Sequence, residues 1–120
     1  LEMLLRQGAD PNYLINPYEQ ETLIDRIAAD DGLNEHVQVL INHCKLTNQS
    51  LKMNEALRRT VFSAAILNAT SICTSGVDLN SSTVFYDTAL DLLILYSAHN
   101  REPATTWGNR LKMAKLFIDP

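Results

Sequence analysis

The feature that most constrains this chain is a short motif that occurs twice, Gly-Ala-Asp-Pro-Asn at residues 8–12 and Gly-Val-Asp-Leu-Asn at residues 76–80. A glycine that follows an apolar stretch favours the left-handed conformation in which helices end. Between the two copies, Cys-Lys-Leu-Thr-Asn at residues 44–48 keeps the final asparagine. The three asparagines, at 12, 48 and 80, are 36 and 32 residues apart (48 − 12 and 80 − 48). A recurrence at about 20 to 50 residues predicts stacked repeat units.

A second recurring motif marks the predicted helix starts. The segments Thr22-Leu-Ile-Asp25 and Thr88-Ala-Leu-Asp91 place a threonine three residues before an aspartate. Side chains at this spacing can satisfy the free N–H groups of a first helical turn. Glu55-Ala-Leu-Arg58 holds the corresponding place between them. The sequence therefore predicts an all-α chain that is built from pairs of helices.

These segments resemble the ankyrin-repeat family, with TLID and TALD where the family has T-P-L-H, and GADPN and GVDLN matching its G-A-D-V-N. The resemblance covers nearly the whole chain and implies a solenoid of stacked helix-turn-helix units. Two complete repeats are expected, flanked by partial ones: residues 1–12 end a repeat, 13–48 and 49–80 form whole repeats, and 81–120 form a repeat with an insertion near 96–109. The family's proline and histidine are missing from every T-P-L-H position.

One helix boundary is left open by the sequence. No helix breaker separates Glu55 from Cys73, so the stretch is either two helices or one.

The partial repeats at the two ends predict that the chain is a piece of a longer protein. Because repeat units bury their apolar faces only against neighbours, the edges of the stack should expose apolar side chains. Those side chains are Leu4, Leu5, Leu116 and Phe117. The protein is otherwise expected to be a monomer.

Composition excludes several functional classes. The 120 residues include 14 acidic residues and 10 lysines and arginines, for a formal charge of −4, and no basic stripe predicts nucleic-acid binding. No apolar run reaches the roughly 18 to 20 residues that span a bilayer. Cys44 and Cys73 lack a CxxC spacing and are interpreted as free thiols in the core. We expect a cytoplasmic protein, or one that acts in a host cell's cytoplasm if it is a secreted bacterial effector.

No catalytic or metal-ligating constellation is present in the sequence. His36 and His43 lie about two turns apart on one predicted helix, but further ligands for a tetrahedral metal site are missing there. There is no nucleophile motif, P-loop or glycine-rich phosphate cradle. The sequence therefore predicts a chain that is not an enzyme and that holds no cofactor or metal.

The remaining polar motifs are interpreted as surface features. Paired acids act in catalysis only within a cleft that shifts their pKa, and no such cleft is evident from the sequence. These pairs, predicted to be solvated, are Asp30 with Asp31 and Glu19 with Glu21. Asn-x-Ser/Thr triplets match the glycosylation pattern, but a chain rich in Asn, Ser and Thr also produces them by chance. They begin at Asn48, Asn68 and Asn80.

The family resemblance implies a partner protein bound across the loop tips and the exposed positions of each first helix. Aromatic side chains in loops favour such a role because they dominate interface energetics. The alternative is that they pack against the helices. Trp107 lies in the expected insertion, where a long loop is either a docking site or a lid over the stack. The candidate residues are Tyr13, Tyr18, Glu19, Lys52, Phe62, Val84, Phe85, Tyr86, Tyr96, Arg101 and Trp107.

The leading functional hypothesis is a protein–protein interaction module. One alternative is the substrate-recruitment arm of a larger enzyme or bacterial effector whose catalytic domain lies outside this chain. A second alternative is a structural spacer or a set of capping repeats. Fold alone does not decide among them, because one fold serves many functions.

Overall fold

The computed structural model describes residues 1–76, 88–99 and 104–118. Within these ranges the chain is mostly helical, as the sequence predicts, but it also contains a short antiparallel hairpin that an all-α fold lacks. The elements are α1 (Glu2–Arg6), β1 (Leu14–Asn16), β2 (Glu21–Thr22), α2 (Leu23–Ile27), a single 3-10 turn (Asp31–Leu33), α3 (Asn34–Leu46), α4 (Asn54–Ser63), α5 (Ile66–Thr74), α6 (Ala89–His99) and α7 (Ala104–Ile118).

The predicted helix starts are confirmed. The Asp25 carboxylate accepts a hydrogen bond of 3.0 Å from the Thr22 backbone N–H, which precedes α2. At α6 the Asp91 N–H donates to the Thr88 hydroxyl at 3.3 Å, and that hydroxyl donates to the Asp91 carboxylate at 2.9 Å. Helix α4 begins at Asn54, one residue before the predicted segment. The local chemistry of the threonine–aspartate pairs therefore determines where these helices begin.

The helix ends follow a different register from the one suggested by the asparagines. Two residues after each of α1, α3 and α5, the backbone takes a positive φ, at Gly8 (99°), Asn48 (55°) and Gly76 (92°). Asn48 is therefore the structural equivalent of the two glycines and not of Asn12, and α3 continues straight through Cys44. Asparagine can take this role because, after glycine, it tolerates the left-handed conformation well.

Gly8→Ala is expected to lower the free energy of unfolding by about 1–2 kcal/mol, because a Cβ strains the left-handed backbone. Nothing lies within 4 Å of a Cβ built at Gly8, so the effect is conformational and not steric. Gly108→Ala is the matched control. It lies inside α7, a Cβ there also meets open space, and alanine should stabilise this helix by up to about 1 kcal/mol. Urea unfolding measures both variants, and a change of the same sign in both would contradict this assignment.

The stretch from Glu55 to Cys73 is two helices. Ala64 takes the left-handed conformation (φ 51°) between α4 and α5 without any glycine to ease it. The Val61 carbonyl, in the last turn of α4, accepts a hydrogen bond from the guanidinium of Arg110 in α7. Ala64 and its neighbour Ala65 are both buried, so tertiary packing holds the break in place.

The helices pack in two layers. Helices α2, α4 and α6 contact one another in succession and form the first layer, whereas α1, α3, α5 and α7 form the second layer in the same way. Each first-layer helix also packs against the second-layer helix that follows it in the chain. The core lies between the layers. Its fully buried side chains include Ile24, Val37, Leu40, Val61, Ile72 and Met113.

The expected insertion near 96–109 is helical where the structure describes it. Helix α6 continues through His99, and α7 begins at Ala104. These helices have 11 and 15 residues, close to the 10 of α4 and the 13 of α3. Trp107 therefore lies on a helix and not in a long loop.

The exposure of apolar side chains in α1 and α7 agrees only partly with the sequence prediction. Leu4 is 63% exposed, as predicted. Leu5 and Phe117 were expected to be exposed but are 4% and 6% exposed, because α1 packs on α3 and α7 packs on α5 and α6. The exposed apolar residues of α7 are instead Leu111 and Ile118, at 61% and 72%.

Candidate binding surface

The β1–β2 hairpin carries the most exposed aromatic side chain of the described residues. Its turn is held by the Asn16 side chain, which accepts from the Glu19 N–H at 3.4 Å, and by the Gln20 side chain, which donates to the Pro17 carbonyl at 3.0 Å. Gln20 itself takes a positive φ of 56°. Tyr18, at the end of this turn, is 98% exposed. A large amphipathic ring is thus presented on an ordered turn.

Two further apolar side chains of the hairpin region face solvent. Tyr13 is 68% exposed and Ile15 is 36% exposed. Together with Tyr18 and the exposed carboxylate of Glu19, they form what we call the hairpin patch. The alternative that the tyrosines pack against the helices is wrong for Tyr13 and Tyr18.

Two further candidate residues, Phe62 and Tyr96, contact each other between the first-layer helices α4 and α6. The rings of Phe62 in α4 and Tyr96 in α6 have centroids 5.5 Å apart and planes at 81°, a favoured edge-to-face arrangement. The Arg110 guanidinium lies 4.7 Å from the centre of the Tyr96 ring, a cation–π distance. Phe62 keeps 42% of its surface exposed, and Leu95 keeps 57%. We call Phe62, Leu95 and Tyr96 the helix patch.

Lys52 lies on the loop that precedes α4, and this loop is tied to the loop before the hairpin. The Asn12 side chain donates to the Ser50 carbonyl at 2.7 Å and accepts from the Lys52 N–H at 3.4 Å. The Lys52 side chain is exposed. One asparagine side chain thus connects two loops that lie about 40 residues apart in the sequence.

Glu21 was predicted to be solvated, and that prediction is wrong. Its side chain is 5% exposed and bridges two arginines. Oε1 accepts from Arg26 Nε at 3.1 Å and from Arg26 Nη2 at 2.6 Å, and Oε2 accepts from Arg59 Nη1. Burial of a carboxylate is tolerated where charge-assisted hydrogen bonds replace its water. Nothing local predicts this, because Arg59 lies 38 residues further along the chain.

The pKa values of the two acidic groups near the hairpin, Glu21 and Asp25, shift in opposite directions. The hydrogen bond from Arg59 lowers the pKa of Glu21 below its ordinary value, although burial acts the other way. Burial raises the pKa of Asp25, and its hydrogen bonds to Thr22 only partly oppose this effect. Glu21 is therefore charged at neutral pH and can hold both arginines.

Asp31 and Asn68 connect the segment that follows α2 with the start of α5. The Asp31 carboxylate accepts from the N–H groups of Leu67 and Asn68 at 3.1 and 3.0 Å, and so caps the first turn of α5. The Asn68 side chain donates to the carbonyls of Ala28 and Asp30 at 2.8 and 2.9 Å. Asn68 is fully buried, so its Asn-x-Thr triplet is inaccessible to glycosylation in the folded chain.

Both cysteines are free and buried, as predicted. Burial raises the pKa of Cys73 to about 11 and also raises the pKa of Cys44. Thiols that stay protonated at neutral pH are poor nucleophiles and poor metal ligands. Their role is to fill the core.

Two further properties concern cofactors and membranes. Within residues 1–76, 88–99 and 104–118, no three His, Cys, Asp or Glu side chains are arranged to hold a metal ion. Within the same ranges, every helix is too short or too polar to cross a lipid bilayer.

A groove of about 990 Å³ beside the hairpin is lined by both apolar and polar side chains, including Leu14, Met53 and Asn12.

The eleven candidate residues separate into four groups. Tyr13, Tyr18 and Glu19 lie on the hairpin patch, and Phe62 with Tyr96 lies on the helix patch. Lys52 is exposed on its loop, and Trp107 is 41% exposed on α7. The other candidates lie outside the described residues: Val84, Phe85, Tyr86 and Arg101. Sequence reasoning missed Arg59, which contacts Glu21 on β2, and Arg110, which contacts Tyr96 in the helix patch.

Comparison with family models, with curated proteins and with solved structures found no match to this chain. The geometry of these two patches is therefore the basis for a functional proposal.

Proposed function

We propose that this chain is a protein-interaction module of the ankyrin-repeat type, which binds a partner protein through its hairpin patch and helix patch. The observation that carries the proposal is the exposure of Tyr18 at the tip of an ordered hairpin. Exposed tyrosines on ordered backbone supply contact area at a low cost in conformational entropy, and such residues are common binding hot spots.

The architecture supports this proposal in two ways. The packing of successive helices in two layers is what a stack of helix-turn-helix units requires. Helix starts near positions 22, 55 and 88, at intervals of 33 residues (55 − 22 and 88 − 55), agree with a period of about 33 residues. The two buried free cysteines favour a reducing compartment such as the cytoplasm.

A purely structural spacer is less well supported. That role calls for polar tips, whereas the hairpin of this chain exposes Tyr13, Ile15 and Tyr18. A recruitment arm of a larger enzyme would use the same two patches, so it is a special case of the proposal.

The test compares capture of partners by the unmodified chain and by two variants. Tyr18→Ala with Phe62→Ala removes an exposed ring from each patch. Leu67→Ala is the matched control, since this side chain is 54% exposed but lies on α5 in the second layer. Partners captured from lysate are identified by mass spectrometry, and their affinities are then measured with the purified proteins.

We expect the double variant to bind the partner at least about tenfold more weakly, since the loss of one hot-spot ring costs roughly 2 kcal/mol. The Leu67→Ala control should keep its affinity, and circular dichroism should be unchanged in both. Equal affinity of the double variant and the unmodified chain for every captured protein would contradict the proposal.

A further inference from the structure

The hairpin patch and the helix patch belong to different parts of the fold. The hairpin precedes α2, whereas Phe62 lies on α4. Two-stranded hairpins of this size are marginally stable on their own. Beta-ladder pairing here is limited to two residue pairs, Leu14 with Thr22 and Asn16 with Glu21. The position of Tyr18 relative to Phe62 therefore depends on contacts that connect the hairpin to the first layer.

Arg59 makes such a contact. One of its nitrogens, Nη1, donates to the Glu21 carboxylate on strand β2 and, at 3.2 Å, to the Asp25 carbonyl in α2. Its Nε lies 3.4 Å from the Glu55 carboxylate on its own helix, which orients the guanidinium. A planar guanidinium holds several acceptors in fixed directions, which an ammonium cannot do. Arg59 thus connects the hairpin, α2 and α4.

The position of Arg59 on α4 matters for binding. It lies three residues before Phe62, so the two side chains occupy neighbouring positions along the helix. Any contact that fixes Glu21 against Arg59 also fixes the hairpin relative to Phe62. A surface that is already arranged before the partner arrives loses less entropy on binding.

We infer that Arg59 is a positioning residue, which holds the hairpin patch in register with the helix patch through the carboxylate of Glu21. Its importance for binding rests on the proposed function, but its effect on the hairpin does not. The inference can therefore be tested without any partner.

The test is hydrogen exchange of the free protein, read separately for residues 13–21, for α5 and for α7. Arg59→Ala should speed exchange in the hairpin segment by about tenfold, since charge-assisted hydrogen bonds are lost, with little change in α5 and α7. Arg26→Ala is the matched control. Its guanidinium binds the same carboxylate but is 60% exposed and belongs to the helix that directly follows the hairpin. It should change hairpin exchange by less than about threefold.

A conservative variant separates positioning from a general loss of stability. Arg59→Lys keeps the positive charge but loses the planar guanidinium with its several fixed donors. The rate of hydrogen exchange in the hairpin should therefore lie between the rates of the unmodified chain and of Arg59→Ala. Three results would overturn the inference: unchanged hairpin exchange in Arg59→Ala, an equal increase in Arg26→Ala, or an increase of the same size in all three segments.

A partner identified by its dependence on Tyr18 supplies the second readout. Arg59→Ala should weaken its binding by about tenfold, and adding Tyr18→Ala to Arg59→Ala should cost less than Tyr18→Ala alone. Strictly additive losses would contradict the positioning role. If no captured protein depends on Tyr18, the proposed function fails, whereas the exchange measurement still decides what Arg59 does to the hairpin.

Discussion

Asn68→Ala is expected to lower the free energy of unfolding by about 3 kcal/mol. Its side-chain amide donates to the carbonyls of Ala28 and Asp30, and its carbonyl accepts from Asn34 at 2.9 Å. Ala28 is the C-terminal cap of α2, where the last carbonyls have no partner within the helix. The variant leaves several buried polar groups without this partner and also creates a small cavity.

The size of this effect follows from where Asn68 lies. It belongs to α5 but satisfies the end of α2, about 40 residues earlier in the chain. Helix α2 has only five residues, which is far below the length at which a helix is stable by itself. Loss of the amide therefore weakens both α2 and its attachment to α5.

Asn42→Ala is the control for this prediction. Asn42 is exposed on α3, so the same change of residue should alter stability by less than about 0.5 kcal/mol. Urea unfolding followed by circular dichroism compares the two variants. If Asn68→Ala is as stable as Asn42→Ala, the hydrogen bonds of the Asn68 amide do not stabilise the end of α2.

Glu21→Gln is expected to have the second-largest effect, and that effect should depend on pH. Near neutral pH the variant loses the charge on a buried group that accepts from both Arg26 and Arg59, at a cost of about 1–3 kcal/mol. The folded-state pKa of Glu21 lies below its ordinary value of 4.5, because Arg59 stabilises the charged form. Its contribution is therefore complete above that value and is lost as the pH falls through the folded-state pKa.

The measurement is the difference in unfolding free energy between Glu21→Gln and the unmodified chain, from pH 7 down to pH 3. The difference should stay constant above the ordinary pKa of 4.5 and shrink below it. Asp25, whose pKa is raised, shifts stability in the opposite direction, but it is present in both proteins and largely cancels. Glu19→Gln removes a charge from the exposed turn and should show no comparable loss of stability. If the difference in unfolding free energy between Glu21→Gln and the unmodified chain grows as the pH falls, this prediction is contradicted.

The elements that the sequence predicts well are those with local causes. Helix starts at Thr22 and Thr88 depend on side chains three residues apart, and the helix ends at Gly8 and Gly76 depend on one residue's freedom to take a positive φ. Asn48 was harder to place, because an asparagine either takes the left-handed conformation or forms a side-chain contact, as Asn12 does. Sequence spacing alone does not distinguish these roles.

The candidate surface was predictable only in part. The sequence singled out Tyr13 and Tyr18 as loop aromatics but left open whether they face solvent or pack against the helices, and the structure shows both exposed. The arginines that contact Glu21 and Tyr96 were not predictable. Arg59 and Arg110 resemble any other helical arginine in the sequence, because their acceptors lie 38 and 49 residues away.

The sequence by itself determined that this chain forms helices and where several of them begin and end. These properties depend on interactions within a few residues, which a linear pattern records. Only the tertiary structure decided that α4 and α5 separate at Ala64, that the residues around Trp107 are helical, and that Glu21 is buried between two arginines. Each of these depends on the free energy of contacts between distant segments, and that free energy can outweigh local preference at any single residue.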